Sequence, residues 1–175
     1  MRNHTPLGET PEPAAENDLA RLRRGLPWVI AQITLIGLSA LSAARFPHIA
    51  LWPLSSGIAR SAAGNLLVLV GVAIALWARY TLGRSFSPLP EPAATHALVT
   101  RGPYRVVRHP IYLASVVLAL GFALQSVSFL ALVFPVALAF VVDRKANIEE
   151  QVLVARYPRY RDQMQRVRKL IPWLY

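Results

Sequence analysis

The chain has 175 residues, 54% of them hydrophobic and 16% charged, with a mean hydropathy of +0.38, which lies outside the usual range of soluble domains and predicts a one-domain integral membrane protein. The formal net charge is +10, but the basic residues flank apolar runs and no zinc-finger, RNP or helix-turn-helix pattern accompanies them, so anionic lipid headgroups account for the charge and nucleic acid does not. The absence of cysteine excludes disulfides, thiolate metal sites and cysteine nucleophiles.

Residues 1–24 hold Pro6, Glu9, Pro11, Glu12, Pro13, Glu16 and Asp18 with few large apolar groups, which predicts a flexible tail that buries too little surface to offset its ordering entropy. The remainder, 25–175, reads as a single transmembrane domain. No charge appears across residues 26–44, enough to cross a hydrocarbon core of about 30 Å as a helix. Arg21, Arg23 and Arg24 before this run and the small residues of 40–44 also fit a signal peptide; the acidic tail and the length of the run favour a retained span. A second uncharged run, 61–78, lies between Arg60 and Arg79 and is likewise long enough to span. The following stretch contains Ser85-Phe86-Ser87-Pro88-Leu89-Pro90-Glu91-Pro92, whose prolines forbid one continuous helix and predict a surface loop.

The third uncharged run, 110–142, has 33 residues. One straight helix of that length would reach about 50 Å, too long for the core, whereas two full spans and a turn need about forty residues. Its one polar interruption is Gln125-Ser126-Val127-Ser128, so the run predicts a hairpin of two short or tilted helices, with the turn's backbone shielded by protein or near water. The charged segment 143–175 reads as helical up to a break near Pro158. The predicted fold is therefore all-α: two spanning helices, a short helical hairpin and a cytosolic C-terminal helix. Basic residues gather before the first span, after the second and after the hairpin, while residues 45–60 hold only Arg45 and Arg60. The positive-inside bias thus predicts an inner or plasma membrane protein with both termini cytoplasmic.

Two polar clusters bracket the hairpin and face the same compartment. The first runs Arg101-Gly102-Pro103-Tyr104-Arg105-Val106-Val107-Arg108-His109-Pro110-Ile111-Tyr112 and the second is Glu149-Glu150. Pro110 suits the first turn of a helix, whose free amides, with Arg108, favour an anionic group. Tyr104 and Tyr112 offer aromatic faces and hydroxyl donors to a nucleoside or a cation. Glu149 lies four residues from Lys145, so an ion pair along the helix explains it as well as function does; Glu150 has no such neighbour and is the stronger functional candidate. His4, His48, His96 and His109 are scattered, and no metal constellation is expected. Both His109 and Glu150 are expected at the water boundary, where alanine would leave thermal stability nearly unchanged.

At these residues the chain resembles the membrane methyltransferases that include isoprenylcysteine carboxyl methyltransferase and the phospholipid N-methyltransferases. The resemblance rests on Leu98-Val99-Thr100-Arg101-Gly102-Pro103-Tyr104-Arg105, Arg108-His109-Pro110-Ile111-Tyr112, the apolar hairpin, and Glu149-Glu150 with Leu153, Tyr157, Tyr160 and Ile171-Pro172. It implies S-adenosylmethionine as cofactor, held by Tyr104, Arg108, His109, Pro110, Tyr112, Glu149 and Glu150, and a lipophilic acceptor that enters from the bilayer. Arg144 is implied as a residue that orients the acceptor, and Glu150 as a base where the acceptor is an amine. Three departures bear on the acceptor: Ala114 stands where the family usually has glycine, Tyr157-Pro158 replaces a phenylalanine-glycine pair, and Gln163 replaces a tyrosine. Membrane sterol reductases carry a similar arginine-histidine-x-x-tyrosine segment beside NADPH, and a non-catalytic lipid-binding scaffold would use the same arginines as anchors.

Overall fold

The computed structural model describes residues 12–45, 57–83, 86, 99–126, 128–157 and 160–172. Every regular element in them is helical, in the order α1 (Glu12–Arg45), α2 (Gly57–Leu82), α3 (Pro110–Gln125), α4 (Val133–Arg156) and α5 (Tyr160–Arg166), with short 3-10 turns at Gly102–Arg105 and Phe129–Leu132. Leu22–Ala43 within α1 and Gly57–Leu82 are long and apolar enough to cross a membrane. The all-α expectation, with two such helices followed by a hairpin, is what the chain adopts.

The first helix begins well before the predicted span. Residues from Glu12 onward, expected in a loose tail, continue the helix of the span without a break. The apolar segment supplies the costly nucleus, and good helix formers such as Ala14, Ala15, Leu19 and Ala20 then extend it. Pro13 lies in the first turn, where its missing amide costs nothing. Residues 1–11, and 87–98 of the predicted loop, are outside the described residues.

Helices α2 and α3 pack through small residues. A Cβ placed on Gly121 would stand 2.8 Å from the carbonyl oxygen of Gly64 and from the amide of Val68, and one on Gly71 would stand 2.9 Å from the amide of Leu118. Such close backbone approach replaces the hydrophobic drive that lipid cannot supply. Helix α1 packs on α3 and α4, and the core lies where Leu138, Val142 and Ala146 of α4 meet Tyr112 and Ala119 of α3. Leu66, Leu69, Leu76, Val136 and Phe140 remain exposed on the outer faces, as acyl chains require.

The hairpin turn falls where the polar interruption predicts it. Ser126 and Ser128 are buried; the Ser126 carbonyl accepts from Arg60 at 2.7 Å and its hydroxyl accepts from the Ser128 amide at 3.2 Å. Protein groups thus satisfy the backbone at that depth. At the opposite end, the segment after α5 folds back beside the start of α3. Val107 and Arg168 form an isolated parallel bridge, in which the Arg168 carbonyl accepts from the Arg108 amide at 2.8 Å and the Lys169 carbonyl from the His109 amide at 3.1 Å. Lys169 is itself buried and donates to Asp143 and Asn147 of α4.

Candidate active site

The site forms where three pieces of chain converge: the 3-10 turn Gly102–Arg105, the first turn of α3, and the C-terminal half of α4. Gly102 sets the first piece. Its φ is +59°, and a Cβ there would stand 2.8 Å from Thr81 Oγ1 at the end of α2, so both conformation and space demand glycine. This turn buries Tyr104. Pro110 occupies the first turn of α3 as expected, which fixes His109 just outside the helix and Tyr112 just inside it. The two rings stack, with centroids 5.3 Å apart and planes 8° apart.

The adjacent glutamates of α4 diverge, as residues about 100° apart on a helix must. Glu150 is 7% exposed. Its Oε1 accepts from Arg108 Nε at 2.7 Å, lies 3.0 Å from His109 Nε2 and accepts from the Tyr160 hydroxyl at 3.5 Å. Glu149 Oε2 accepts from the Tyr112 hydroxyl at 2.8 Å and stands 3.6 Å from His109 Nδ1. The histidine thus sits between both carboxylates. Arg108 also donates to the carbonyls of Met164 and Val167, so its guanidinium is engaged by the chain's own acceptors.

These partners decide the electrostatics. Burial pushes the Glu150 carboxyl upward, but hydrogen bonds from His109 and Arg108 and their charges outweigh it and bring the group to about 2. A carboxylate held that low is a poor proton acceptor at neutral pH. Burial raises the hydroxyls of Tyr104 and Tyr160 well above the ordinary tyrosine range, with Glu149 and Glu150 adding to it respectively, so both stay protonated donors.

A cleft of about 250 Å³ opens beside this cluster, close to the roughly 300 Å³ at which small-molecule pockets begin. Its polar wall is Tyr104, Arg108, His109, Tyr112, Lys145 and Glu149; its apolar wall comes from Val29, Ile33 and Ile36 of α1, with Leu82 and Ile111. Of the sequence candidates, Tyr104, Arg108, His109, Pro110, Tyr112 and Glu149 line this cleft. Glu150 and Arg144 instead line a separate cleft with Trp28 on the other side of α4, and Arg144 lies exposed with its guanidinium 4.8 Å from the Phe140 ring centroid. The structure therefore does not bring Arg144 to His109 and Tyr112.

Two expectations are corrected here. Glu150 and His109 do not lie at a wet boundary: both are buried and paired. The Lys145–Glu149 ion pair weighed as an alternative to a functional role for Glu149 does not form at contact distance: Lys145 Nζ donates to Gln32 Oε1 of α1 at 3.0 Å while Glu149 takes the Tyr112 hydroxyl. Sequence reasoning missed Gln32 and Lys145 as wall residues. The available signal was Gln32 itself, the one amide side chain in the uncharged run 26–44, since polar groups at membrane depth generally face a partner or a cavity.

Among the described residues no group of three or more acidic or histidine side chains is arranged to hold a metal. No curated protein matches the chain. The model of the phospholipid methyltransferase family matches residues 59–160, a stretch that carries nearly all of α2, the hairpin and both polar clusters from Arg101 to Glu150. With more than half its length matched by that model, the chain belongs to the phospholipid methyltransferase family.

Proposed function

We propose that the protein transfers a methyl group from S-adenosylmethionine to a lipophilic acceptor at the cytosolic boundary of the membrane, in the cleft between α1 and the His109–Tyr112–Glu149 wall. The observation that carries this reading is the composition of that wall: a carboxylate, Glu149, presented beside two tyrosine rings and opposite an apolar helix face. A carboxylate and aromatic faces suit a ligand that bears an ammonium, a sulfonium and ribose hydroxyls. They are poor neighbours for the extra phosphate of NADPH, and of the two long-chain cations in the cleft Arg108 is already met by Glu150 and two carbonyls, while Lys145 lies one helical turn from Glu149 on the side of the apolar run. The donor set thus favours the methyl donor over the nicotinamide cofactor, and a cleft built of aromatic and carboxylate groups favours an enzyme over a scaffold of lipid anchors.

When bound, S-adenosylmethionine supplies a methyl group on a sulfonium, so that a lone pair on the acceptor forms the new bond as the carbon–sulfur bond breaks. The chain's own contribution is placement and exclusion of water. Tyr104, Tyr112, His109 and Glu149 hold the donor side. Val29, Ile33 and Ile36 present the apolar side along which an acyl or prenyl chain reaches the cleft from the bilayer. Arg108 and Glu150 fix the position of His109 and of the segment after α5 and act as positioning residues. Glu150 does not serve as a base in this reading; a carboxylate or thiolate acceptor needs none. The basic flanks put both termini in the cytoplasm.

Calorimetry of the protein in detergent tests the reading. S-adenosylhomocysteine binds and NADPH does not; binding of NADPH alone would replace the methyltransferase reading with the reductase.

A further inference from the structure

Lys145 is 2% exposed, yet it lines the cleft. It donates to the Gln32 carbonyl oxygen at 3.0 Å and lies 5.0 Å from the centroid of the Tyr112 ring. Among the described residues no carboxylate lies within ion-pair distance of it. A cation taken out of water with no carboxylate in contact is expensive, and chains generally supply a contacting counter-charge; here the charge of Glu149 reaches Lys145 only from beyond ion-pair distance. The natural one, Glu149, is a single turn away on the same helix and is turned to Tyr112 instead.

Gln32 is held so that it stays with the lysine. Its amide donates to Ser115 Oγ at 3.2 Å, and Ser115 in turn donates to the Tyr112 carbonyl at 2.8 Å. This relay ties α1, which lies outside the family-matched stretch, to both arms of the hairpin. Lys145 sits about 6 Å along the α4 axis from Glu149, on the side of the apolar run that ends at Val142. Ile33 and Ile36 continue the wall beyond it. A ligand that follows the apolar wall toward Glu149 therefore meets a cation before it meets the carboxylate.

We propose that Lys145 and Gln32 form an anion subsite that selects an acceptor with a carboxylate or phosphate at the head of its apolar chain. The proposal rests on the methyl-transfer reading for the word acceptor, but the subsite can be measured without any transfer.

The test uses the full chain in detergent and three probes with one hydrocarbon tail: oleate, oleyl phosphate and oleyl alcohol. One of the two anions binds at least about tenfold more tightly than the alcohol, the worth of one hydrogen bond to a charged group, and which of them does so tells carboxylate from phosphate. Lys145→Gln abolishes that preference, and Gln32→Glu abolishes it too by giving Lys145 a counter-charge of its own. Lys145→Arg keeps it. Helical circular dichroism and a monomeric elution profile like the parent's report that each variant folds. Equal binding of the three probes by the parent chain overturns the proposal, as does an anion preference that survives Lys145→Gln. A loss of S-adenosylhomocysteine binding confined to Lys145→Gln also overturns it, because the ammonium would then belong to the methyl donor. Anion preference without any S-adenosylhomocysteine binding by the parent sinks the methyl-transfer reading and leaves the subsite standing.

Discussion

Arg108 and Glu150, 42 residues apart in sequence, meet with Nε and Oε1 2.7 Å apart. The same carboxylate oxygen lies near His109 and Tyr160, so one buried acceptor joins the approach to α3, the C-terminal half of α4 and the start of α5. Its neighbour Glu149 turns to Tyr112 and the cleft. Adjacent and chemically identical residues thus differ in placement, the one cohesive and the other facing the cleft.

Removing the cohesive carboxylate strands a guanidinium whose side chain is 10% exposed. Glu150→Ala lowers stability by about 3 kcal/mol, the usual cost of leaving one half of a buried pair, and Glu149→Ala costs less than about 1 kcal/mol. Thermal midpoints followed by tryptophan fluorescence in detergent rank the two variants, and equal midpoints would contradict the assignment.

The low Glu150 pKa also fixes a pH dependence. A carboxyl held at about 2 when folded, against an ordinary 4.5, contributes stability that is complete above the ordinary value and is lost as pH falls toward the folded one. The thermal midpoint of the parent protein therefore drops between about pH 5 and pH 2, and Glu150→Gln shows a shallower decline across that window. A midpoint series at constant ionic strength checks it.

Tyr112→Phe removes the hydroxyl that orients Glu149 at 2.8 Å while keeping the ring that stacks on His109. S-adenosylhomocysteine binding weakens by about tenfold, one hydrogen bond to a charged group, with little change in thermal midpoint. Calorimetry on both proteins gives the ratio.

Gly121→Leu forces apart two helix backbones that already occupy the space its side chain would need. The cost exceeds about 3 kcal/mol, the upper end for inserting atoms into a filled interface, and folded monomer is lost in size-exclusion chromatography. A Cβ on Gly37 would meet nothing within 4 Å, so Gly37→Ala is the control that leaves the elution profile unchanged.

Helices were legible because each uncharged run reports burial in lipid, and length alone decides what it can form. The hairpin turn was legible because Gln125, Ser126 and Ser128 break a run that is otherwise apolar. The cluster was legible as a set, since a proline-started helix and a pair of glutamates mark the two ends of one hairpin. The partners were not. Helical spacing offers Lys145 to Glu149, but the structure gives Lys145 to Gln32, 113 residues away, and gives Glu150 three partners no local rule proposes. Spacing predicts contacts within one helix, whereas the packing of α1 and the return of the chain after α5 are tertiary choices.

The short parallel bridge between Val107 and Arg168 has a consequence for biogenesis. The stretch that contains Arg168 follows α1 to α4 in the chain, so the pairing at Val107 is made only after all four helices have been synthesised. Until that stretch arrives, Arg108 lacks the carbonyls of Met164 and Val167, and the backbone at His109 lacks its acceptor. The wall at His109 therefore takes its final form only after the helices that carry it have been made.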